Sequence, residues 1–194
     1  MGFGLGLCGF ALFFLSDYND WRLSRRGLRV CFPAGGALLI AGTALECHWS
    51  GGPAGGWLRW PALALGAVFG ALLVYTLFFA LPAKASYTRP GENRRACTTG
   101  VYALCRHPGV LWFAGLYVCL WAALGLPLWE AAVYSGLNVL LVVLEDRCVF
   151  PAKLEGYGDY QKTTPFLLPS RQSVRACMGK DGERGEGPCD LRKN

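Results

Sequence analysis

Charge is scarce in this chain of 194 residues: Asp, Glu, Lys and Arg together make up 16% of it, against about 25% in ordinary soluble domains. With 53% hydrophobic residues beside it, that shortage excludes a soluble fold and reads as an integral membrane protein. Histidine is rarer still. His48 and His107 are too few for a His-rich catalytic metal centre, and the nine cysteines contain neither a CxxC pair nor a zinc-finger spacing, so no metal is expected. Thiols on the reducing side of a membrane stay free, and structural disulfides are not expected either. No Walker-type or GxGxxG phosphate loop follows a strand, and no GxSxG elbow occurs. There is also no interleaved aromatic and basic stripe, so the formal charge of +6 belongs to membrane topology and anionic headgroups rather than to nucleic acid.

What the chain has instead is long apolar runs. About 20 apolar residues cross a bilayer, and five runs approach that length, over residues 2–16, 30–47, 60–81, 108–124 and 128–144. The first is short and glycine-rich, but it lacks the basic segment and cleavage pattern of a signal peptide, so it counts as a mature span. The expected fold is all-α. It is a polytopic transmembrane helix bundle of about five spans over residues 1–170, with a C-terminal cytoplasmic cofactor-binding segment. Residues 171–194, dominated by Gly, Arg, Glu, Lys and Asp, read as a disordered cytoplasmic tail. Gly66 and Gly70 in the third run form a small-xxx-small pair suited to helix packing, and the oligomeric state stays open.

Arginine sets the orientation. The first loop carries Arg22, Arg25, Arg26 and Arg29 and the third carries Lys84, Arg89, Arg94, Arg95 and Arg106, whereas the second has only Arg59 and the fourth has none. The positive-inside rule then puts the N-terminus outside and the C-terminal tail in the cytoplasm. The membrane is the plasma or inner membrane in a prokaryote and the endoplasmic reticulum in a eukaryote.

The remaining chemistry concentrates between residues 99 and 169. In Thr99-Gly100-Val101-Tyr102-Ala103-Leu104-Cys105-Arg106-His107-Pro108 an arginine, a histidine and a helix-starting proline stand directly before the fourth run. Pro108 suits the first helical position, where its missing N–H costs nothing, and the unpaired donors around it favour an anion. An ionisable group at membrane depth costs about 2.5–3.5 kcal/mol, so clustering at the boundary has a cause: interfacial anchoring, or a site for a charged small molecule. At the end of the fifth run Glu145 returns after two turns to nearly the face of Asn138, with Tyr134 and Leu141 beside it, and so points into the bundle. The tight connection Gly125-Leu126-Pro127 makes the last two runs an antiparallel hairpin, bringing Arg106, His107 and Glu145 to one level. A zwitterion matches that arrangement. His107 is a proton acceptor or a hydrogen-bonding residue at the helix entrance, Tyr160 a lid contact or an interfacial anchor, and Arg147 a snorkelling cation.

Gly100-x-Tyr102-x-x-x-Arg106-His107-Pro108, the hairpin, the acidic pair Glu145-Asp146, Gly-x-Gly-Asp-Tyr160 and the closing Pro165-Phe166-Leu167-Leu168-Pro169 together resemble the integral membrane methyltransferases. That family is typified by isoprenylcysteine carboxyl methyltransferase and phospholipid N-methyltransferases. The resemblance covers roughly residues 84 to 169. It implies S-adenosylmethionine as cofactor, bound at the cytoplasmic face, and a lipid or small membrane-accessible methyl acceptor. It also implies that Gly100, Tyr102, Arg106, His107, Pro108, Glu145 and Tyr160 form the cofactor pocket, with Arg106, His107 and Glu145 catalytic. Val110, Asp146 and Thr163 stand where many relatives carry an aromatic residue, a glutamate and a tyrosine, so the resemblance speaks to the cofactor more than to the acceptor. Membrane sterol reductases have a similar Arg-His-Pro hairpin and a nicotinamide cofactor, which leaves reduction as an alternative, beside a non-catalytic scaffold.

Overall fold

The computed structural model describes residues 1–50, 56–80 and 94–178. Helix accounts for about 81% of it, so the fold is all-α. The long helices are α1 (Gly2–Tyr18), α2 (Cys31–Trp49) and α3 (Arg59–Val74), followed after the short α4 (Val101–Leu104) by α5 (Pro108–Leu124) and α6 (Leu128–Leu144). Short pieces close the chain: α7 (Phe150–Lys153), α8 (Tyr157–Thr163) and α9 (Arg171–Cys177). Strands β1 (Arg94–Arg95) and β2 (Leu154–Glu155) pair in parallel and tie the segment before α4 to the segment before α8.

Three continuous helical stretches, Arg26–Trp49, Arg59–Phe79 and Leu128–Lys153, are long and apolar enough to cross a membrane, while Pro108–Leu124 is apolar but shorter. Their outward faces are apolar too. Ile40, Val68 and Leu140 are all exposed, an arrangement that water penalises and lipid does not.

The hairpin forms as its turn residues dictate. Gly125 takes φ +76° just after α5, a left-handed position that a β-carbon disfavours, and Pro127 precedes the first turn of α6. Leu126 between them is fully buried. It belongs to a core with Phe10, Leu39, Phe113, Tyr117, Ala131 and Tyr134, drawn from α1, α2, α5 and α6. The two tyrosine hydroxyls are satisfied inside this apolar cluster: Tyr134 donates to the Phe3 carbonyl at 3.0 Å and Tyr117 shares a hydrogen bond with Thr43 at 2.7 Å.

α1 and α2 pack through glycine. A β-carbon on Gly9 would lie 2.7 Å from the Gly35 carbonyl, and one on Gly35 the same distance from the Gly9 carbonyl, so the backbones touch where neither residue has a side chain. The pair expected from sequence behaves differently. A β-carbon on Gly66 would lie 3.1 Å from the Cys119 side chain, but one on Gly70 would meet nothing within 4 Å. Gly9→Ala should therefore cost about 1–3 kcal/mol by forcing two backbones apart. Gly70→Ala should be neutral or slightly stabilising through helix propensity. Thermal unfolding of both variants in detergent checks this, and equal effects would remove the seam as the explanation.

Two further differences from the sequence reading have local causes. The stretch expected to be a disordered tail begins instead with α9, started by a reciprocal cap in which the Ser173 amide donates to the Ser170 hydroxyl and the Ser170 amide to the Ser173 hydroxyl. Residues 179–194 lie outside the described residues. Cys97 is disulfide-bonded, against the expectation, drawn from its place on the reducing side of the membrane, that no structural disulfide forms. Cys8, Cys31, Cys47, Cys105, Cys119, Cys148 and Cys177 are free thiols.

Candidate functional site

Three helices among the described residues widen into a π-helical turn at their C-terminal ends: Asn19–Leu23 after α1, Tyr75–Phe79 after α3 and Glu145–Val149 after α6. A π turn adds a residue and rotates the succeeding side chains relative to an unbroken α-helix. In α6 it falls on the acidic pair. Asp146 turns inward and is 6% exposed, facing the entrance of α5, while the Glu145 side chain keeps 23% of its surface.

Asp146 collects donors. Tyr157 donates its hydroxyl to Oδ1 at 2.6 Å, and Gln161 and Arg106 Nη2 each donate to Oδ2 at 3.2 Å. Arg106 Nε lies 2.9 Å from Oδ1 as an ion pair, although its N–H is not aimed there. His107 Nε2 stands 3.3 Å from the same oxygen. The other half of the guanidinium is also committed, Nη1 donating to the carbonyls of Gln161 at 2.8 Å and Thr164 at 3.2 Å. Arg106 thus fastens α8 and the chain after it to the entrance of α5. The backbone repeats the contact, with the Arg106 amide donating to the Pro165 carbonyl at 2.9 Å and the His107 amide to the Phe166 carbonyl at 3.3 Å.

His107 is walled in. Phe150 stacks on its ring at 5.7 Å and Phe166 meets it edge-on at 5.2 Å. Burial, the dominant influence, holds its pKa down to about 4, against the pull of the Asp146 hydrogen bond and charge. The imidazole is therefore neutral at pH 7. Its Nδ1 lies 3.7 Å from Glu145 Oε2.

The other residues singled out in the sequence gather round the same end. Gly100 opens α4 with φ +61°, and Pro108 is the buried first residue of α5. Tyr102 donates its hydroxyl to the Thr76 carbonyl at 3.1 Å, and burial first, then the Glu145 charge, pushes its pKa up to about 12. Tyr160 is buried, and its hydroxyl donates to the Tyr102 carbonyl at 2.7 Å, so it ties α8 to α4. Asp146, Tyr157 and Gln161 escaped the sequence reading as site members. A signal was present, since Tyr157 and Gln161 are one helical turn apart on α8, the spacing of two side chains on one face. Asp146 also carried a signal, one helical turn after the buried Val142.

Chemically, the Glu145 carboxylate is not consumed by the protein's own hydrogen bonds among the described residues. Its Oε2 lies 3.7 Å from Nδ1 of the neutral His107, and no lysine or arginine forms an ion pair with it among the described residues. Comparison with protein families, with curated proteins and with solved structures finds no match to this chain.

Proposed function

We propose that this chain is an integral membrane methyltransferase of about five spans that uses S-adenosylmethionine at its cytoplasmic face. The observation that carries the reading is the uncommitted Glu145 carboxylate opposite His107, at the entrance of α5. The ordered Arg-His-Pro, acidic-pair and Pro-Phe-Leu-Leu-Pro motifs of the sequence support it. Arginines in alternate loops support an inward-facing site, on the side where that cofactor is made.

The residues suit the cationic end of the cofactor. Glu145 would accept from its ammonium, a charge-assisted hydrogen bond in a partly dry setting. Arg106 has no free fork for its carboxylate, because the guanidinium already serves Asp146, Gln161 and Thr164. In this reading Arg106 and Asp146 are positioning residues that hold α8 across the entrance. Neutral His107 can take a proton through Nδ1 when the nucleophile is an amine or a thiol. The bound cofactor supplies an electrophilic methyl on a sulfonium, and the protein's task is to align the acceptor and exclude water.

The test is binding. S-adenosylmethionine should raise the melting temperature of the purified protein, and NADPH should not. Glu145→Gln keeps the shape and removes the charge, so it should weaken cofactor affinity by about tenfold to a hundredfold with little change in folding. Saturable NADPH binding with none for the methyl donor would replace this reading with reduction.

A further inference from the structure

The neutral imidazole of His107 carries one proton, and its neighbours decide which nitrogen holds it. Asp146 is paired with Arg106 at 2.9 Å and receives the Tyr157 hydroxyl at 2.6 Å and the Gln161 amide at 3.2 Å, the surroundings of an ionised carboxylate. An ionised carboxylate only accepts. The atom that His107 presents to its Oδ1, Nε2 at 3.3 Å, therefore has to donate. With the proton on Nδ1 instead, the Nε2 lone pair would face an anionic oxygen between two buried side chains, where solvent screens repulsion least. The plane of the ring is held as well. Phe150 lies within 9° of parallel to it on one face, and Phe166 closes it off edge-on.

The other nitrogen is then bare. Nδ1 lies 3.7 Å from Glu145 Oε2, beyond hydrogen-bonding distance, and no donor stands between the two among the described residues. We propose that Asp146 is a positioning residue acting through His107: it holds the imidazole in the Nε2–H form and turns the bare Nδ1 towards the space in front of Glu145. The task differs from fastening α8, since it selects a tautomer rather than tethers a segment. It makes the mouth of the site a pair of acceptors, so a group that enters has to bring a donor. Only the identity of that group rests on the methyltransferase reading, in which the ammonium of S-adenosylmethionine lies on Glu145 beside Nδ1. The tautomer follows from the protein's own contacts.

Nitrogen NMR of the full chain in detergent, with 15N-labelled histidine at about pH 7, tests this without a ligand. The nitrogen that bears hydrogen resonates apart from the bare one, and couplings to the ring carbon protons identify each. His48→Gln assigns the two histidines. His107 should show hydrogen on Nε2 and a bare Nδ1, and hydrogen on Nδ1 or an even mixture overturns the proposal. Asp146→Asn should lose the Nε2–H preference and Asp146→Glu should restore it. Tyr157→Phe should keep it, because it loosens the same segment but leaves the carboxylate in place. Loss of the preference in Tyr157→Phe, or its retention in folded Asp146→Asn, makes Asp146 merely structural and overturns the proposal. The wild-type spectrum decides by itself if Asp146→Asn does not fold. Saturating S-adenosylmethionine should then move the Nδ1 resonance and leave Nε2 protonated. Binding that leaves Nδ1 unmoved overturns the placement of that lone pair at the site. Failure of the donor to bind overturns the methyltransferase reading and leaves the tautomer assignment standing.

Discussion

Replacing Asp146 with asparagine is expected to destabilise the protein by about 3–5 kcal/mol, the usual cost of removing one member of a buried ion pair. Arg106 is 10% exposed and would lose its counter-charge, while Tyr157 and Gln161 would face an amide that accepts through one oxygen only. The loss should be local before it is global. Because Asp146 is where α8 is fastened to the α5 entrance, amide exchange over Tyr157–Thr163 should accelerate well below the unfolding transition. Tyr157→Phe removes a single charge-assisted hydrogen bond and should cost about 1.5–3 kcal/mol. The double variant should then cost less than the sum, since both changes break one network. Thermal unfolding in detergent with exchange mass spectrometry measures all three. Full additivity, or unchanged exchange over α8, would mean that Asp146 does not fasten that segment.

The second large effect concerns pH. His107 titrates near 6.5 when unfolded and near 4 when folded, mainly because burial disfavours the imidazolium. Between those values the unfolded chain binds the extra proton, so stability rises with pH and is lost as pH falls from about 6.5 towards 4. The loss amounts to about 3 kcal/mol for this group alone. Other carboxylates titrate in the same range, so the informative quantity is the difference between wild type and His107→Gln, which keeps a hydrogen-bonding group but has nothing to protonate. The gap between their melting temperatures should widen steadily from pH 4 to pH 6.5 and stay constant above pH 7. Parallel curves would mean that His107 charges as readily folded as unfolded.

The two effects involve residues that differed in how well they could be read. His107 and Arg106 were legible because the Arg-His-Pro sequence places them at a helix entrance by local rules alone, proline fixing the first turn. Glu145 was legible through its spacing from Asn138 along an α-helical face. Asp146 was not, although it stands one helical turn after the buried Val142, because the spacing from Asn138 and the family resemblance both pointed to Glu145. Tyr160 could be placed near the site but not assigned a partner, since its acceptor, the Tyr102 carbonyl, lies far away in the chain. The glycine seam shows the same division. Both Gly9–Gly35 and Gly66–Gly70 could be named as small residues on apolar helices, and only the contact geometry separates the pair that touches from the glycine that faces open space.

The sequence by itself determined that the protein is helical and apolar on its outside, because composition and the length of apolar runs act residue by residue and need no partner. It also determined where α5 and α6 begin and turn, since Gly125, Pro127 and Pro108 restrict the backbone locally. Only the tertiary structure decided that Asp146 rather than Glu145 pairs with Arg106, and that α8 folds over the α5 entrance. Each of those is a meeting of groups remote in the chain. Which carboxylate is consumed and which stays available is fixed by the order in which helices pack, and no local propensity encodes that order.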